Sequence, residues 1–453
     1  MESCSSVQVL TPDDTIKLYK YRWVVIFIFG LYAAINFSQF LQFTIIADIL
    51  KKYYGVDSLL IDMSAMVFMA AFIIFFAPVG YIVENTSLKT TAIISATLTV
   101  LGNCLKVFAT LPDRYYVVLI SQSIIAISQI FMLIIPSKVA SSWFGADEVS
   151  TACAIGLFGT QIGIAAGAAV PTLMVKNGSK DQVQHELNEM FIYNIIASMV
   201  VLVIVIIFFR SKPTTPPSRS QASLATQEKD KKLTFWMAIK GFVRNKDFMI
   251  ILLSFGINFG MWNSNGVLFN QIYTTYFPNA DNDRDLGILT FATVLSGGCL
   301  GSIIFGYILD RTHNFRLVSF LVLFANLLSC IAQAVTMLMR SRIGTFITVP
   351  INGFFSGSLM VISYEYAIET TYPTPEPYGT SVLNGVVYVF GIIFVVILDL
   401  VFANVGYPAG FGIIIILTAI GTFSILFVSP VLKRRNANLL LNGQQTQTQP
   451  VSS

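Results

Sequence analysis

Twelve long apolar stretches follow one another along this chain, at 24–46, 60–83, 90–111, 115–136, 149–173, 190–209, 248–273, 286–309, 317–339, 343–365, 379–403 and 408–430. Each is near the ~20 residues that a helix needs to cross the hydrocarbon core of a bilayer. In hydrocarbon every backbone N–H and C=O must find a partner within the protein, so stretches like these are helices. Only 11% of the 453 residues are charged and 55% are hydrophobic, against about 25% charge in a soluble domain. The expected fold is therefore an all-α membrane protein with twelve transmembrane helices. A net charge of +4 is a bias toward one membrane face and gives no reason to expect a nucleic-acid partner.

The twelve helices fall into two sets of six. I-N-F-S-Q-F at 35–40 returns as I-N-F-G-M-W at 257–262, and G-Y-I-V-E at 80–84 returns as G-Y-I-L-D at 306–310, in the same order. A duplicated helical bundle is the usual architecture of a secondary transporter, with substrate held between the halves. Between the sets, 211–234 is rich in Pro, Ser, Thr and Lys and lacks the apolar area to fold alone. Residues 235–246 alternate apolar and basic positions, the pattern of a short helix lying on a membrane surface. The division is a tail at 1–21, six-helix bundles at 22–210 and 248–432, a linker at 211–247 and a second tail at 433–453.

Basic residues set the orientation. Nineteen Lys and Arg lie on the side of the tails and linker and eight on the other, which puts both termini in the cytoplasm. The first 20 residues are polar, with no short apolar core before a cleavage site, so the first helix is expected to act as the membrane signal. Cys104, Cys153, Cys299 and Cys330 lie in expected helices and Cys4 in the tail, which leaves no disulfide framework. The sequon Asn177-Gly178-Ser179 falls in an outside loop and is a candidate glycosylation site. Together these features suggest a monomer in the plasma membrane.

Six plus six helices, a long linker and the repeated G-Y-I-[VL]-[ED] resemble the major facilitator superfamily. There a Gly-x-x-x-acid element closes the loops after helices two and eight. The resemblance implies a gate in which Gly80 and Gly306 let helices approach closely. Glu84 and Asp310 would pair with basic residues such as Arg311, or face helix N-termini. Helix five carries Gly156, Gly159, Gly163 and Gly167, and the four-residue spacing of the last three makes a small-residue face for close packing. In that superfamily it resembles the region that slides between the halves.

The chain has no G-x-S-x-G, Walker element, H-E-x-x-H or Cys/His metal spacing, so neither an enzyme nor a cofactor is indicated. His185 and His313, the only histidines, fall in expected loops. The informative residues are polar or aromatic ones in mid-membrane. Asn36 and Phe40 in helix one, Asn258 and Trp262 in helix seven, and Asn384 and Tyr388 in helix eleven share one i,i+4 spacing and so one face each. Asn265 extends the helix-seven stripe, and Gln122 and Gln129 lie seven apart in helix four. Any one aromatic residue here could simply be packing. Asn-x-x-x-aromatic on three helices points instead to a shared site. Ring faces with neutral amides and no buried carboxylate suit a quaternary ammonium, which has no N–H to donate and gains ~0.5–2 kcal/mol per ring. The scarcity of mid-helix charge argues against obligatory proton coupling, with Asp399 and Glu365 as the exceptions.

The run I-P-S-K-V-A-S-S-W-F-G-A-D-E-V-S-T-A-C-A at 135–154, the run Y-E-Y-A-I-E-T-T-Y-P at 364–373 with G-T-S at 379–381, and Y-R-W-V-V near the start closely resemble the feline leukaemia virus subgroup C receptor family. This is a branch of the major facilitator superfamily, and the similarity runs through all twelve helices. It implies transport of choline, with ethanolamine as a related substrate, by facilitated diffusion through an aromatic cage closed by glutamine. On this chain the cage residues correspond to Phe40, Trp262, Tyr388 and Gln129. The expected function is thus uniport of a choline-like cation by alternating access. The alternatives are a haem or porphyrin exporter, disfavoured by the lack of core histidines, and a receptor on the same scaffold that binds without flux.

Overall fold

The structure is a computed structural model that describes residues 18–144, 149–213, 215, 235–278, 282–312, 314–372, 374, 376–429 and 432–433. Among the described residues, twelve long helices follow one another along the chain. Helices one to six comprise Tyr21–Phe37, Ser58–Asn85, Leu88–Lys106, Tyr115–Trp143, Val149–Met174 and Lys180–Phe208. Helix seven is Lys246–Tyr276, and helix eight joins Asn282–Val294 to Ser302–Thr312 through a π-helical stretch, Leu295–Gly301. Helices nine to twelve are Phe315–Leu338, Arg342–Thr371, Glu376–Asn404 and Tyr407–Ser424. Among the described residues nine helices are long and apolar enough to cross a membrane, while helices one and five contribute shorter apolar segments. Helix seven is long but carries Asn258, Asn263, Asn265, Asn270 and Gln271, amides that a lipid-facing helix would leave unsatisfied. Phe27, Leu173, Ile207 and Ile303 are more than half exposed on the outer surface, as a lipid-facing surface requires.

Helix one departs from the expected 24–46. It ends at Phe37, and a short helix, Ala47–Tyr54, begins only after nine residues of turns. Ser38, Gln39, Gln42 and Thr44 bring polar side chains into what hydropathy reads as one span. At the break, Gln39 N–H and Phe40 N–H bond to carbonyls three residues back, those of Asn36 and Phe37, which tightens the turn and rotates the next segment about the helix axis. Other side chains satisfy the freed backbone. Gln122 Nε2 donates to the Gln39 carbonyl at 2.9 Å, and Asn270 Nδ2 to the Ile45 carbonyl at 2.6 Å. Lys106, fully buried, donates to Gln39 Oε1 at 2.5 Å and Gln42 Oε1 at 3.2 Å and lies 5.1 Å from the Phe43 ring centroid.

Helix six starts at Lys180, ten residues before the expected 190, because Ser179 Oγ caps it by accepting from Gln182 N–H and Val183 and Leu187 bury one face of the added turns. His185 therefore lies on an exposed helical surface, 3.9 Å from Glu189, and not in a loop; His313 lies outside the described residues. The expected short helix at 235–246 is present as Phe235–Arg244, held by Phe242 against Phe248 with ring centroids 4.7 Å apart.

The helix-five glycines pack against helix one within the same half. A Cβ on Gly159 would sit 2.6 Å from Gly30 Cα, and one on Gly163 would sit 2.8 Å from Ala34 Cα. The Gly159–Gly167 face therefore joins two helices of one bundle and does not lie between the halves. At the gate glycines of this structure a Cβ on Gly80 meets no described atom within 4 Å, and one on Gly306 meets only Val361 at 3.8 Å.

The core divides by depth. Near the end where Tyr21, Phe208 and Ser211 gather, called here the tail end, one buried cluster holds only first-half residues, such as Phe29, Ile135 and Phe209. A second there holds only second-half residues, such as Phe255, Val322 and Tyr366. At the far end one cluster joins both halves, with Leu41, Ile45, Met69 and Ala168 packed against Met261, Tyr273, Leu289 and Phe394, beside a first-half cluster around Tyr54 and Leu187. Among the described residues, the halves share a buried cluster at the far end and none at the tail end.

Candidate functional site

Two adjoining chambers lie in this frame. The central one is an opening of about 610 Å³, counted with the solvent space at its mouth. Phe40 and Leu41 from the helix-one break and Ile164 from helix five close it on the first-half side. Trp262, Asn263, Asn265 and Phe269 from helix seven, with Thr290 and Thr293 from helix eight, form the other wall. Among the described residues, no charged side chain lines it. Phe40 is held edge-on by Phe68 with centroids 5.6 Å apart, and Trp262 packs on Phe259 at 5.0 Å. Neighbouring aromatic rings thus fix both of these rings where they face the chamber.

The second, a narrow cleft with room for about one water, lies wholly in the second half and meets the first along Trp262, Asn265, Gln333 and Asn352. Asn258 faces it; its Nδ2 donates to the Ser254 carbonyl at 2.9 Å, while its Oδ1 is buried without a partner. Asn258, Trp262 and Asn265 therefore converge as their spacing on an unbroken helix requires.

The other two Asn-x-x-x-aromatic pairs do not converge on the chambers. Asn36 is fully buried and donates from Nδ2 to Thr99 Oγ1 at 3.1 Å and Ser128 Oγ at 3.2 Å. It ties helices one, three and four, and the helix break turns Phe40 away from its face. Asn384 accepts from the Tyr364 hydroxyl at 2.6 Å. Tyr388 lies where all three clusters meet, its ring 5.0 Å from that of Phe72 on helix two. Gln129 is buried with Nε2 unpartnered but lines neither chamber. Gln122 is spent on the Gln39 carbonyl.

Arg311 bonds through Nε to the Tyr307 hydroxyl at 3.2 Å. The Glu84 and Asp310 side chains lie outside the described residues. Asn177 is exposed in the loop between helices five and six. Asn263, Gln333 and Asn352 line the chambers although no sequence pattern singles them out, as does Asn326 in the second chamber. Asn326 and Gln333 are seven residues apart on helix nine, the same spacing as Gln122 and Gln129.

The Major Facilitator Superfamily family model matches residues 28–343. An uncharacterized MFS-type transporter of Caenorhabditis elegans, C09D4.1, is 32% identical over 93% of this chain and 71% of its own length. The choline/ethanolamine transporter flvcr2b of Danio rerio is 32% identical over 97% of this chain and 88% of its own. Among solved structures, the fucose:proton symporter of E. coli superposes with a TM-score of 0.61 at 14% identity, covering 91% of this chain and all of that one.

Proposed function

Because the chain is a membrane transporter of the Major Facilitator Superfamily, belonging to the branch of the feline leukaemia virus subgroup C receptor-type choline/ethanolamine transporters, we propose that it carries choline or a similar small organic cation by facilitated, uncoupled alternating access. The observation that carries this reading is a chamber between the halves with ring faces at Phe40 and Trp262, free amides beside them and, among the described residues, no charged side chain in its lining. A trimethylammonium group has no N–H to satisfy and is weakly hydrated, so ring faces stabilise it without a carboxylate. A cation held by several weak contacts also leaves readily, which suits a carrier without a driving ion.

In this proposal the tail end faces the cytoplasm of a cell-surface protein, as the basic residues favour. A buried cluster shared by the halves at the far end, with none among the described residues at the tail end, then fits a state loaded and emptied from inside. Tyr388 and Gln129 take the place of cage members in the opposite state, when the helices that carry them shift against helix two and helix one. The acidic pair Glu84 and Asp310 with Arg311 serves the cytoplasmic gate.

Labelled choline uptake into cells expressing the chain tests this, beside Trp262→Ala at equal surface abundance. Losing one ring weakens half-saturation by about 2- to 30-fold, from ~0.5–2 kcal/mol per ring. Saturable uptake that does not change in the variant removes Trp262 from the site, and no uptake from surface-expressed protein removes choline.

A further inference from the structure

One cation inside the first half has no part in the transport proposed above. Lys106, the last residue of helix three, is fully buried, the one Lys or Arg so placed among the described side chains. It forms no ion pair with a carboxylate among the described residues, and it lines neither chamber. An ammonium without a counter-charge is costly in a membrane interior, so a chain that keeps one there has a use for it.

The partners of Lys106 show where that use lies. Both of its hydrogen bonds run to the interrupted stretch of helix one, to Gln39 Oε1 at 2.5 Å and to Gln42 Oε1 at 3.2 Å, and Nζ lies 5.1 Å from the Phe43 ring centroid. Gln39 and Gln42 are themselves buried. Between them in the chain stands Phe40, whose ring helps to close the central chamber on the first-half side. No regular helix carries Phe40 there, because helix one ends at Phe37 and the next helix begins only at Ala47. Backbone outside a helical ladder turns more freely, and a small rotation at this point swings the ring. One Nζ that holds the amide on either side of Phe40 removes that freedom. An ammonium suits the task because it carries three donors at one point and no acceptor. An amide in its place would bring an oxygen that itself needs a donor. Trp262, the other ring of the chamber, needs no such support, since it sits on the unbroken helix seven.

We infer that Lys106 is a positioning residue for the transport site, setting the Phe40 ring by clamping Gln39 and Gln42 to the end of helix three. This rests on the proposed binding of an organic cation at Phe40, and it makes a separate demand: the influence of Lys106 passes through Phe40 and not through Trp262.

A double-mutant cycle on choline uptake at equal surface abundance reads that path. Lys106→Met keeps the bulk and removes the donors. Half-saturation is expected to weaken by up to the ~2- to 30-fold that a whole ring is worth, with the maximal rate changed less than about twofold, the mark of lost binding. Added to Phe40→Ala, Lys106→Met is expected to weaken half-saturation by less than about twofold further, and added to Trp262→Ala to act by its full factor. Equal factors in the two backgrounds, or an unchanged half-saturation in Lys106→Met alone, overturn the inference. Gln42→Leu, which removes one of the two clamp bonds, serves in every arm if Lys106→Met does not fold, with the same pattern expected at smaller size. Amide hydrogen exchange of the purified full-length protein reads the clamp without any substrate. Lys106→Met is expected to speed exchange across residues 38–46 about tenfold or more, and less than about twofold in helix seven. Unchanged exchange at 38–46 overturns the clamp and leaves choline transport standing. Wild-type protein that takes up no choline overturns the proposed function, and faster exchange at 38–46 then still upholds the clamp.

Discussion

Gly159→Ala tests the packing that places the site. The added methyl would lie 2.6 Å from Gly30 Cα and 2.8 Å from the Gly30 carbonyl carbon. Carbon atoms settle at ~3.5–4.0 Å, so helices one and five must part by ~0.9 Å at that level. The obstructing atoms are backbone, and no rotamer change relieves them. Overpacking of this kind costs about 1–3 kcal/mol, and the gain in helix propensity from Gly to Ala offsets about 0.5–1 kcal/mol of it. Gly80→Ala is the matched control: mid-helix, with no described atom within 4 Å of the new methyl, it receives the propensity gain alone. The propensity terms cancel between the two variants, leaving a gap of about 1–3 kcal/mol. Melting of the purified proteins in one detergent reads this directly, with Gly159→Ala below wild type and Gly80→Ala at or above it. Both variants melting at or above wild type would mean that helices one and five are not in backbone contact. A Gly80→Ala variant as unstable as Gly159→Ala would restore the close approach expected of the gate glycine.

Other consequences can be checked in the same preparation. Asn270→Leu leaves the Ile45 carbonyl without its donor and is expected to cost about 1–3 kcal/mol; melting at the wild-type temperature would show that the break in helix one needs no tie from helix seven. Asp285, 3% exposed, receives both Arg342 Nε at 2.7 Å and Arg342 Nη2 at 2.6 Å, and the Tyr273 hydroxyl at 2.6 Å. Arg342→Ala should therefore melt lower than the double variant Arg342→Ala/Asp285→Asn, since the single change leaves a buried carboxylate unpaired. Additive losses would show that the pair is not coupled.

Hydropathy is enough to read the twelve-helix plan, because a bilayer leaves so few ways to fold an apolar run. The break in helix one is hidden in the same average. Ile35, Phe37, Phe40 and Leu41 keep the window apolar while Ser38, Gln39 and Gln42 among them end the helix. That one event decides why Asn258 and Trp262 meet at a chamber while Asn36 and Phe40 do not. Asn384 and Tyr388 sit on an unbroken helix, but their face turns toward Tyr364 and Phe72, and a single helix's periodicity does not record which neighbour it faces. The amides of helices nine and ten stand at legible spacing. Asn326 and Asn352 pair with each other across helices, so no one helix displays the group.

The interrupted stretch after Phe37 is anchored from both sides of the molecule. Its near carbonyl, Gln39, is held by Gln122 of the first half, and its distant one, Ile45, by Asn270 of the second. If the halves separate at the far end, only the second anchor has to let go. Its release bares one carbonyl at the moment the parting lets water in, and a water can replace the amide it loses. The penalty for unlatching is thus cancelled only once the cleft is wide enough to be wetted, so a partial opening costs more than a complete one. A carrier latched this way spends little time leaking half-open between its two faces.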